Sequence, residues 1–346
     1  MSAGDFPAVN QRELATRLGL SVRTVSLALN DHAGVSPATR DKVRAEAESL
    51  GLRARGRHRH ATIGVCVPDL TSLNPTEWGS FVIQHALDQG YAAVIQPTYN
   101  RAAEERRAAA TFRKLGVDGV ILTSSQVGLD LPRQLAQDGI PVVSWATRVG
   151  RDARPEAEMP CVMVDHYSGG HQAVEYLVKE CGYEQVVFLS GPIGSISARA
   201  KLAGYTDALA DAGVQPMVID PGVYDFRGGY DTAERLMGRR PRPAALFCYS
   251  DELALGALSY CYERDIAVPD EVAIVGYDDI RIAQYSSPPL TTVHVPRDAF
   301  AEMAVRIITE RLWIGRDEPF ELEPPFLRLR GTTPRSSQRR QRGHGG

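Results

Sequence analysis

A group of hydrogen-bonding and small apolar side chains lies within ten residues near the amino end of the chain. The group consists of Ser21, Val22, Arg23, Thr24, Ser26, Leu27 and Asn30. Hydroxyl, amide and guanidinium groups bond to the phosphates and base edges of double-stranded DNA. Arg23 can contact guanine through two hydrogen bonds, and the alternative is that it contacts phosphate only. We expect this group to bind DNA if a helix presents its members together.

The segment from Arg12 to Leu29 supplies that helix. Its apolar residues recur at three- and four-residue steps, as in two short amphipathic helices that share one core. These residues are Leu14, Ala15, Leu18, Val22, Val25 and Leu29. Gly19 lets the first helix end in a left-handed conformation, and Ser21 can cap the second. The pattern is typical of a helix-turn-helix, although an ordinary helical hairpin shows it as well.

A third helix follows and makes the hairpin reading less favourable. Ser36 and Pro37 are typical of a helix N-cap and first turn. Three apolar residues then point inward, and Gly51 ends the helix. They are Val43, Ala47 and Leu50. The sequence therefore predicts a three-helix unit within the first fifty-one residues.

From residue 63 onward the pattern changes to short apolar runs that are mostly separated by amphipathic segments of helical length. The runs are 63–67, 93–96, 119–122, 141–145, 161–164, 185–189, 244–248 and 272–275. Such alternation predicts an α/β fold of parallel sheets with helices on both faces. The runs are too many for one small sheet, and a ligand would bind where strand ends face each other across a cleft.

These patterns together carry a resemblance to a known family. The run LATRLGLSVRTVSLALNDHAGVSPATRDKVRAEAESLGL closely resembles the headpiece of the lactose-repressor (LacI/GalR) family of bacterial transcription regulators. Further landmarks follow in the family's order, and the resemblance extends from about Asn10 to Thr333. They are IGVCVPDL, GVDGVIL, IPVV, SAR with LAGYTDALADAG, SDELALGAL, VAIVGYDD and PPLTTV.

The resemblance, with the local composition, implies four parts. Residues 1–51 form the DNA-binding headpiece and residues 52–62 a basic linker or hinge. Residues 63–330 form a two-lobed core of the periplasmic-binding-protein type, for effector binding and dimerisation. The first lobe covers about 63–164 and 288–320 and the second about 165–287 and 321–330, with crossings near Val164, Ser287 and Phe320. Residues 331–346 form a basic, disordered tail.

An effector pocket is expected in the loops that follow the strands. The predicted effector-binding residues are Asp69, Arg148, His166, Ser195, Arg199, Phe226, Ser250 and Asp278. Arg199 matches the family's ligand-binding arginine and Asp278 its ligand-binding aspartate. A guanidinium that donates and a carboxylate that accepts suit sugars and other polyols. Phe226 matches a position that is often aromatic, where a ring stacks on a sugar.

Several of these residues also have structural interpretations. Asp251 is as well suited to cap a helix as to bind a ligand, and Asp279 to brace its own loop. His166 and His294 are as often structural as functional. Sugar-binding members commonly have an asparagine before the residue that matches Asp251, and an acid near the one that matches Ala146. Because this chain has Ser250 and Ala146 there, we expect a less acidic pocket.

Charge is distributed unevenly along the 346 residues, whose net charge is −3. Residues 1–60 hold ten lysines and arginines against six acids, a net +4, and residues 331–346 hold four arginines without an acid, also +4. The part between them carries −11. A basic headpiece on an acidic body favours DNA contact at one end.

The remaining composition is that of a soluble protein of a reducing compartment. The sequence has no apolar run of membrane-spanning length and no signal peptide at Met1. Its five cysteines are odd in number and lack CxxC spacing, which favours buried free thiols in the cytoplasm. We expect no metal and no cofactor.

The predicted function is that of a regulator rather than an enzyme. The resemblance implies a DNA-binding repressor that acts as a homodimer on a pseudo-palindromic operator and responds to a sugar-like small molecule. The motifs HExxH, GxSxG, GxxxxGK[ST] and a strand-following GxGxxG are absent. There are two alternatives. The first is a regulator whose core only dimerises, and the second is a solute-binding protein, which would begin with a signal sequence.

The linker LRARGRHRH at residues 52–60 departs from the family. The family has a longer hinge with a helix whose leucine wedges into the minor groove, and it usually has arginine where Leu27 stands. This linker instead carries Arg53, Arg55, Arg57 and Arg59. Our hypothesis is that these arginines contact phosphates or a narrow minor groove directly, so that charge replaces the wedge.

Replacing the four linker arginines by glutamine should weaken the binding of every DNA sequence about equally. Each lost phosphate contact makes the negative slope of log affinity against log salt less steep by about 0.9. Salt titrations on a selected operator and on random DNA measure this, with Arg106→Gln in the acidic core as the control. Loss confined to the operator, at an unchanged salt slope, would contradict the hypothesis.

Overall fold

Three helices at the amino end pack around one small core. The computed structural model describes residues 11–29, 34–49, 61–123, 130–153, 160–192, 194–238, 244–312 and 319–334. The helices are α1 Gln11–Leu18, α2 Val22–Leu29 and α3 Pro37–Ser49. Gly19 has a φ of +66° at the turn. The Thr24 amide donates to the Ser21 hydroxyl at 3.0 Å, and the Thr39 amide donates to the Ser36 hydroxyl at 3.2 Å.

The core of this headpiece contains most of the apolar residues that the periodicity predicts. Its buried members are Leu14, Ala15, Val25, Ala28, Val35, Val43 and Ala47. Val22 differs, because its side chain is exposed on the outer side of α2. Leu50 and Gly51 lie outside the described residues. The helix-turn-helix pattern therefore corresponds to two real helices that share one core.

The first lobe is built on a six-stranded parallel sheet in the order β11-β5-β4-β3-β1-β2. Its strands are β1 Thr62–Val67, β2 Ala92–Pro97, β3 Gly119–Leu122, β4 Val142–Ala146, β5 Cys161–Met163 and β11 Phe320–Glu321. Its helices are α4 Leu73–Asp88, α5 Ala102–Leu115, α6 Asp130–Gln137 and α11 Arg297–Glu310. Val65, Ile121 and Val143 are fully buried, as expected for a sheet covered on both faces.

The second lobe is built on a second six-stranded sheet in the order β12-β10-β9-β8-β6-β7, in which only β12 runs antiparallel to its neighbour. Its strands are β6 Val186–Leu189, β7 Met217–Ile219, β8 Ala245–Cys248, β9 Ala273–Asp278, β10 Thr291–His294 and β12 Phe326–Arg328. Its helices are α7 His166–Glu175, which continues as a π-helix Tyr176–Glu180, α8 Ile196–Asp211, α9 Phe226–Met237 and α10 Asp251–Glu263. A 3₁₀ helix, Arg281–Tyr285, follows β9.

The chain passes between the two sheets three times. The first passage follows β5, and the third lies between β11 and β12. The second passage differs from the sequence-based boundary at Ser287. β10 pairs with β9 in the second sheet, with Thr291 opposite Val275, so the passage follows His294. The motif PPLTTV places a strand there that the apolar-run analysis did not predict.

The end of the core differs from the predicted tail. Thr332 and Thr333 are buried, although residues 331–346 were expected to be disordered. The Thr332 hydroxyl donates to the Ile274 carbonyl and accepts from the Thr291 amide at 2.8 Å. Residues 331–334 therefore belong to the second lobe, because they satisfy polar groups at its sheet. Residues 335–346 lie outside the described part of the chain.

Helices α7 and α8 cross at very short distance because glycine lies at the contact. A Cβ atom on Gly204 would come within 2.2 Å of the Tyr167 carbonyl oxygen and 2.7 Å of the His171 amide nitrogen. Both are backbone atoms, so the contact cannot relax by a side-chain rotation. The crossing therefore fixes the position of α8 against the first turns of α7.

Gly204→Ala should destabilise the core by about 1–3 kcal/mol, since overpacking at this contact forces the helices apart. Chemical denaturation measures the loss. Gly194→Ala is the matched control, because a Cβ there meets no atom within 4 Å. Equal stability of the two variants would show that the short crossing is not a constraint on the fold.

Candidate functional site

The outer face of α2 begins with three exposed side chains. Ser21, Val22 and Arg23 are exposed, while Thr24 and Ser26 are half-buried. Leu27, which was expected to bind DNA, is also half-buried and packs against the headpiece core. Asn30 and the four linker arginines, Arg53, Arg55, Arg57 and Arg59, lie outside the described residues.

A buried lysine occupies the carboxyl-terminal edge of the second sheet. Lys201 on α8 is only 2% exposed. Its ammonium group donates to the Tyr249 carbonyl at 3.0 Å and lies 3.7 Å from the Asp278 carboxylate. It also lies over the ring of Tyr277 at 3.7 Å and over that of Tyr249 at 4.2 Å. Two aromatic faces and one carboxylate therefore stabilise the charge of this buried side chain.

Asp278 is buried opposite this lysine. Burial raises the pKa of its carboxyl, and the charges of Lys201 and Arg297 oppose that rise. Its φ of +107° turns the chain sharply after β9. Arg199, which the resemblance assigns to the same pocket, is exposed on α8. The structure thus pairs Asp278 with Lys201 rather than with Arg199.

The signal that identifies Lys201 is its position on α8. The buried face of this helix includes Ser197, Lys201, Gly204 and Ala208, at steps of three and four residues. A lysine in such a stripe has to find partners in the interior, because an unpaired buried charge is costly. Arg199 lies two residues earlier and therefore faces away from this stripe.

His166 lies at the first passage between the lobes and is fully enclosed. Its Nδ1 is 3.1 Å from the Tyr277 hydroxyl, and its ring meets that of Trp145 edge to face at 5.1 Å. Burial, together with the charge of Lys201, lowers the pKa of His166 well below its usual value, so the imidazole is neutral. Within the described ranges its Nε2 has no hydrogen-bond partner.

Other predicted pocket residues have local partners. Ser195 caps α8 by accepting from the Ala198 amide, and Ser250 caps α10 by accepting from the Leu253 amide at 3.3 Å. Asp69 accepts from the amides of residues 71 and 72 after β1, which lowers its pKa despite partial burial. Phe226, the first residue of α9, is 39% exposed.

Asp251 does not cap α10, which was one interpretation of its sequence position. Ser250 takes that part, and Asp251 is fully buried. Its carboxylate accepts from the Ile280 amide at 2.8 Å and from the Thr292 hydroxyl. Burial, and next the charge of Asp278, raises the pKa of Asp251 well above its usual value. Asp251 therefore holds the loop that carries Asp278.

Arg148 lies in a second polar region, beside the first passage between the lobes. Its guanidinium forms an ion pair with Asp165 at 2.8 Å and lies over the Tyr167 ring. Arg151 from the same loop reaches Asp211 at the end of α8. A cavity of about 270 Å³ opens here. It is lined by Arg148, Arg151, Tyr167, Ser168, His171, Gln172 and Asp211. Arg148 is thus not in contact with the Lys201 cluster.

Asp279 braces the loop after β9, as one interpretation of the sequence had it. Its carboxylate contacts Arg330 at 2.6 Å, His294 at 2.8 Å and Arg328 at 2.9 Å. Its carbonyl accepts from Arg297 at the start of α11. Burial favours the neutral acid, but the bonds from His294 and Arg330 prevail and lower the pKa to about 2. One carboxylate thus connects the second and third passages between the lobes.

The lobes also contact each other at the amino end of α4, which the sequence analysis did not predict. The Leu73 amide of the first lobe donates to the Glu252 carboxylate of the second at 3.3 Å. The Arg281 amide of the second lobe donates to Glu77 at 3.0 Å, and Arg297 forms an ion pair with Glu77. Asp69, Asp225, Glu252 and Asp278 are close enough to interact electrostatically. The face between the lobes is therefore more acidic than Ser250 and Ala146 suggested.

Three further properties concern the described residues as a whole. All five cysteines are free and buried. No group of three or more histidine, cysteine or acidic side chains with the spacing of a metal site occurs in the ranges that the structure covers. None of the helices in those ranges has the length and apolar composition that a membrane crossing requires.

Comparison with family models gives two matches. Residues 12–53 match the model for bacterial regulatory proteins of the lacI family. Residues 174–333 match the model for a periplasmic binding protein-like domain. The first match covers α1 to α3, and the second lies almost entirely in the second lobe with the passage through α11.

Curated proteins and solved structures extend the similarity to most of the chain. The HTH-type transcriptional repressor CytR of Escherichia coli K12 is 29% identical over 313 residues, which are 88% of this chain and 90% of that protein. The HTH-type transcriptional repressor PurR of Vibrio atlanticus is 29% identical over 329 residues, which are 91% of this chain and 96% of that protein. The structure of a transcriptional regulator CelR–cellobiose complex is similar with a TM-score of 0.66 and 26% identity over 93% of this chain and 99% of that one.

Asp279→Asn should lower the free energy of unfolding by about 2 kcal/mol at pH 7. This follows because folding lowers the pKa of Asp279 from 3.8 to about 2. This stabilisation is present above pH 3.8 and is lost as the pH falls through 2, so the variant and the wild type should converge there. Denaturant titrations over this pH range measure it. Asp231→Asn, at an exposed pair with Arg227, should stay within about 0.5 kcal/mol of the wild type. A constant difference down to pH 2 would contradict the assignment.

Proposed function

Because the chain belongs to the LacI family of bacterial regulatory proteins, we propose that it is a transcriptional repressor that binds operator DNA and is controlled by a small molecule between its lobes. The observation that carries this proposal is the capped helix α2, whose amino end is exposed, on a chain that is similar over nearly its full length to known repressors. Such a regulator acts in the cytoplasm and is not an enzyme.

The exposed amino end of α2 is the part that enters the major groove. Arg23 is its cation and can donate two hydrogen bonds to a guanine edge. Ser21, Val22, Thr24 and Ser26 surround it with hydroxyl and methyl groups. Leu27 contributes less to base recognition than the family's arginine would, because it packs on the headpiece core. The linker arginines add phosphate or minor-groove contacts.

A homodimer is the expected binding form, since one headpiece buries too little surface for selective binding. Large exposed aromatic side chains support an interface on the second lobe. Tyr262 on α10 is 79% exposed and Tyr285 after β9 is 78% exposed, with Ile282 exposed on the same 3₁₀ segment. That segment begins next to α4 of the first lobe through the Arg281–Glu77 bond. A symmetric contact here aligns two headpieces for a pseudo-palindromic site.

The effector site is the cluster around Lys201 at the face between the lobes. Lys201 and Asp278 offer a donor and an acceptor, and Tyr249 and Tyr277 offer aromatic faces. The buried Nε2 of His166 has an unused hydrogen-bonding position. Hydroxyl-rich ligands satisfy such a set, and the similar CelR structure was solved with cellobiose. We therefore propose a sugar or related polyol as the effector.

Control follows from linkage between the two sites. A ligand that contacts both lobes favours one angle between them, and this angle determines the spacing of the two headpieces in the dimer. The loop that carries Asp278 is tied through Asp279 to two of the three passages, so a shift at the ligand is transmitted to them.

A second candidate function is supported by one observation. Lys201 already fills the space between the two tyrosine rings and Asp278, as a ligand would. In this second candidate function the core binds no effector and serves dimerisation only. Ligand binding separates the two candidates.

Arg23→Ala should reduce affinity for a DNA fragment selected by the full chain by about 5- to 150-fold, which corresponds to roughly 1–3 kcal/mol for one bidentate guanine contact. Affinity for random DNA should change far less. Fluorescence anisotropy at fixed salt measures both, with the exposed Lys42→Ala on α3 as the control. Equal losses on both DNAs would mean that Arg23 contacts phosphate only.

A panel of sugars, polyols and nucleosides should contain a compound that raises the melting temperature of the full chain by roughly 5 °C or more at saturation. Lys201→Met should abolish this shift, whereas Arg199→Ala should keep most of it. Lys201→Arg, which keeps the charge, controls for folding. No shift with any compound supports the dimerisation-only function, and loss in Arg199→Ala alone would return the ligand contact to Arg199.

A further inference from the structure

Helix α4 of the first lobe lacks a cap of its own. Ser72 is at the N-cap position, but its side chain forms no cap bond and donates instead to Asp69 at 3.1 Å. The Leu73 amide, the first of the helix, donates to Glu252 of the second lobe at 3.3 Å. Free amides at a helix amino end attract an acceptor. Glu252 therefore caps α4 from across the face between the lobes.

This contact forms only at the present arrangement of the lobes. Glu252 is the second residue of α10 and is 6% exposed. Leu73 itself packs against the apolar core of the second lobe. When the lobes separate, Glu252 returns to water and the amino end of α4 loses its acceptor. The contact is therefore a direct readout of lobe closure.

Three carboxylates on other elements act electrostatically on Glu252. They are Asp278 at the end of β9, Asp69 after β1 and Asp225 at the start of α9. On the side of α4, Glu77 is held by Arg297, and Lys201 lies against Asp278. The nearby cations are thus already paired with other acids. A charged Glu252 is repelled in this place, whereas a neutral carboxylic acid still accepts from the Leu73 amide through its carbonyl oxygen.

We propose that Glu252 is a proton-controlled latch, which holds the two lobes together when a solvent proton neutralises its carboxylate and releases them when that proton is lost. The consequence for DNA binding rests on the proposed function, because lobe closure alters headpiece spacing only in a dimeric regulator. The latch itself is a property of the core and stands without DNA. Through it, the regulator's response to its effector becomes sensitive to pH.

The charges around Glu252 determine how lobe closure depends on pH and over which pH range it changes. Burial raises the pKa of Glu252 from 4.5 to about 7, and Asp278, Asp69 and Asp225 add to the rise against the Leu73 bond. In open lobes the pKa returns toward 4.5. Closure is therefore fully favoured below pH 4.5, weakens as the pH rises to about 7 and is constant above it. The closing equilibrium changes by up to about tenfold per pH unit within this range.

Hydrogen exchange at the amino end of α4 in the full chain measures the latch. Exchange rates of a peptide with Leu73 and the following turn are divided by the intrinsic rate at each pH, which gives the opening equilibrium. Glu252→Gln keeps the acceptor oxygen and removes the titration, and Glu252→Ala removes the cap. Glu263→Gln on the same helix α10 is the matched control, because Glu263 is exposed and bonds to Tyr230.

We expect the wild type and Glu263→Gln to lose tenfold or more of this protection between pH 5.5 and 7.5. Glu252→Gln should keep the protection of the acidic wild type at both values, and Glu252→Ala should lack it at both. The same pH dependence in Glu252→Gln, or full protection in Glu252→Ala, would overturn the proposal. Failure of DNA binding would leave these results unchanged, so the two proposals are tested separately.

Discussion

A buried charge at the carboxyl-terminal edge of the second sheet is the feature on which the surrounding structure depends. The ammonium group of Lys201 is out of water, and its stability depends on Asp278, on one carbonyl and on two tyrosine rings. Removing one partner of such a pair costs about 3–5 kcal/mol. The pair is held from both sides: the short glycine contact positions α8, and the Asp279 cluster holds the loop of Asp278.

The control of DNA binding that we propose for this site depends on the same arrangement. Asp279 ties the loop to Arg328 and Arg330 near β12 and to Arg297 at the start of α11. Two of the three passages between the lobes therefore meet at one residue, Asp279. On the other side of the face, α4 depends on the second lobe for its cap. These contacts are the route by which the proposed ligand and proton would alter the angle between the lobes.

Much of the fold was predictable because it depends on patterns of type and spacing. The runs 119–122 and 161–164 correspond closely to β3 and β5, and Ser21 and Ser36 cap the helices that they were expected to begin. β10, Thr291–His294, was missed because it is a short and partly polar segment. Its burial depends on pairing with β9 and on Thr332. Local periodicity does not contain such long-range pairing.

The site was less predictable for a related reason. The resemblance transfers residue types, but it does not transfer the phase of a helix against its sheet. Arg199 and Lys201 are two residues apart on α8, and they therefore point to different sides of the helix. Lys201 is buried and Arg199 is exposed. Glu252 lies in the landmark SDELALGAL, but nothing in that motif indicates its role, because the role depends on a contact with Leu73, which is 179 residues away in sequence.

The most direct test of the account is the selection of bound fragments from a random DNA pool by the purified full chain, followed by a salt titration on the selected sequence. The account predicts an inverted repeat, bound by a dimer with a steep negative dependence of affinity on salt. The absence of a consensus, with salt-sensitive binding to every fragment, would contradict sequence-specific regulation by this protein.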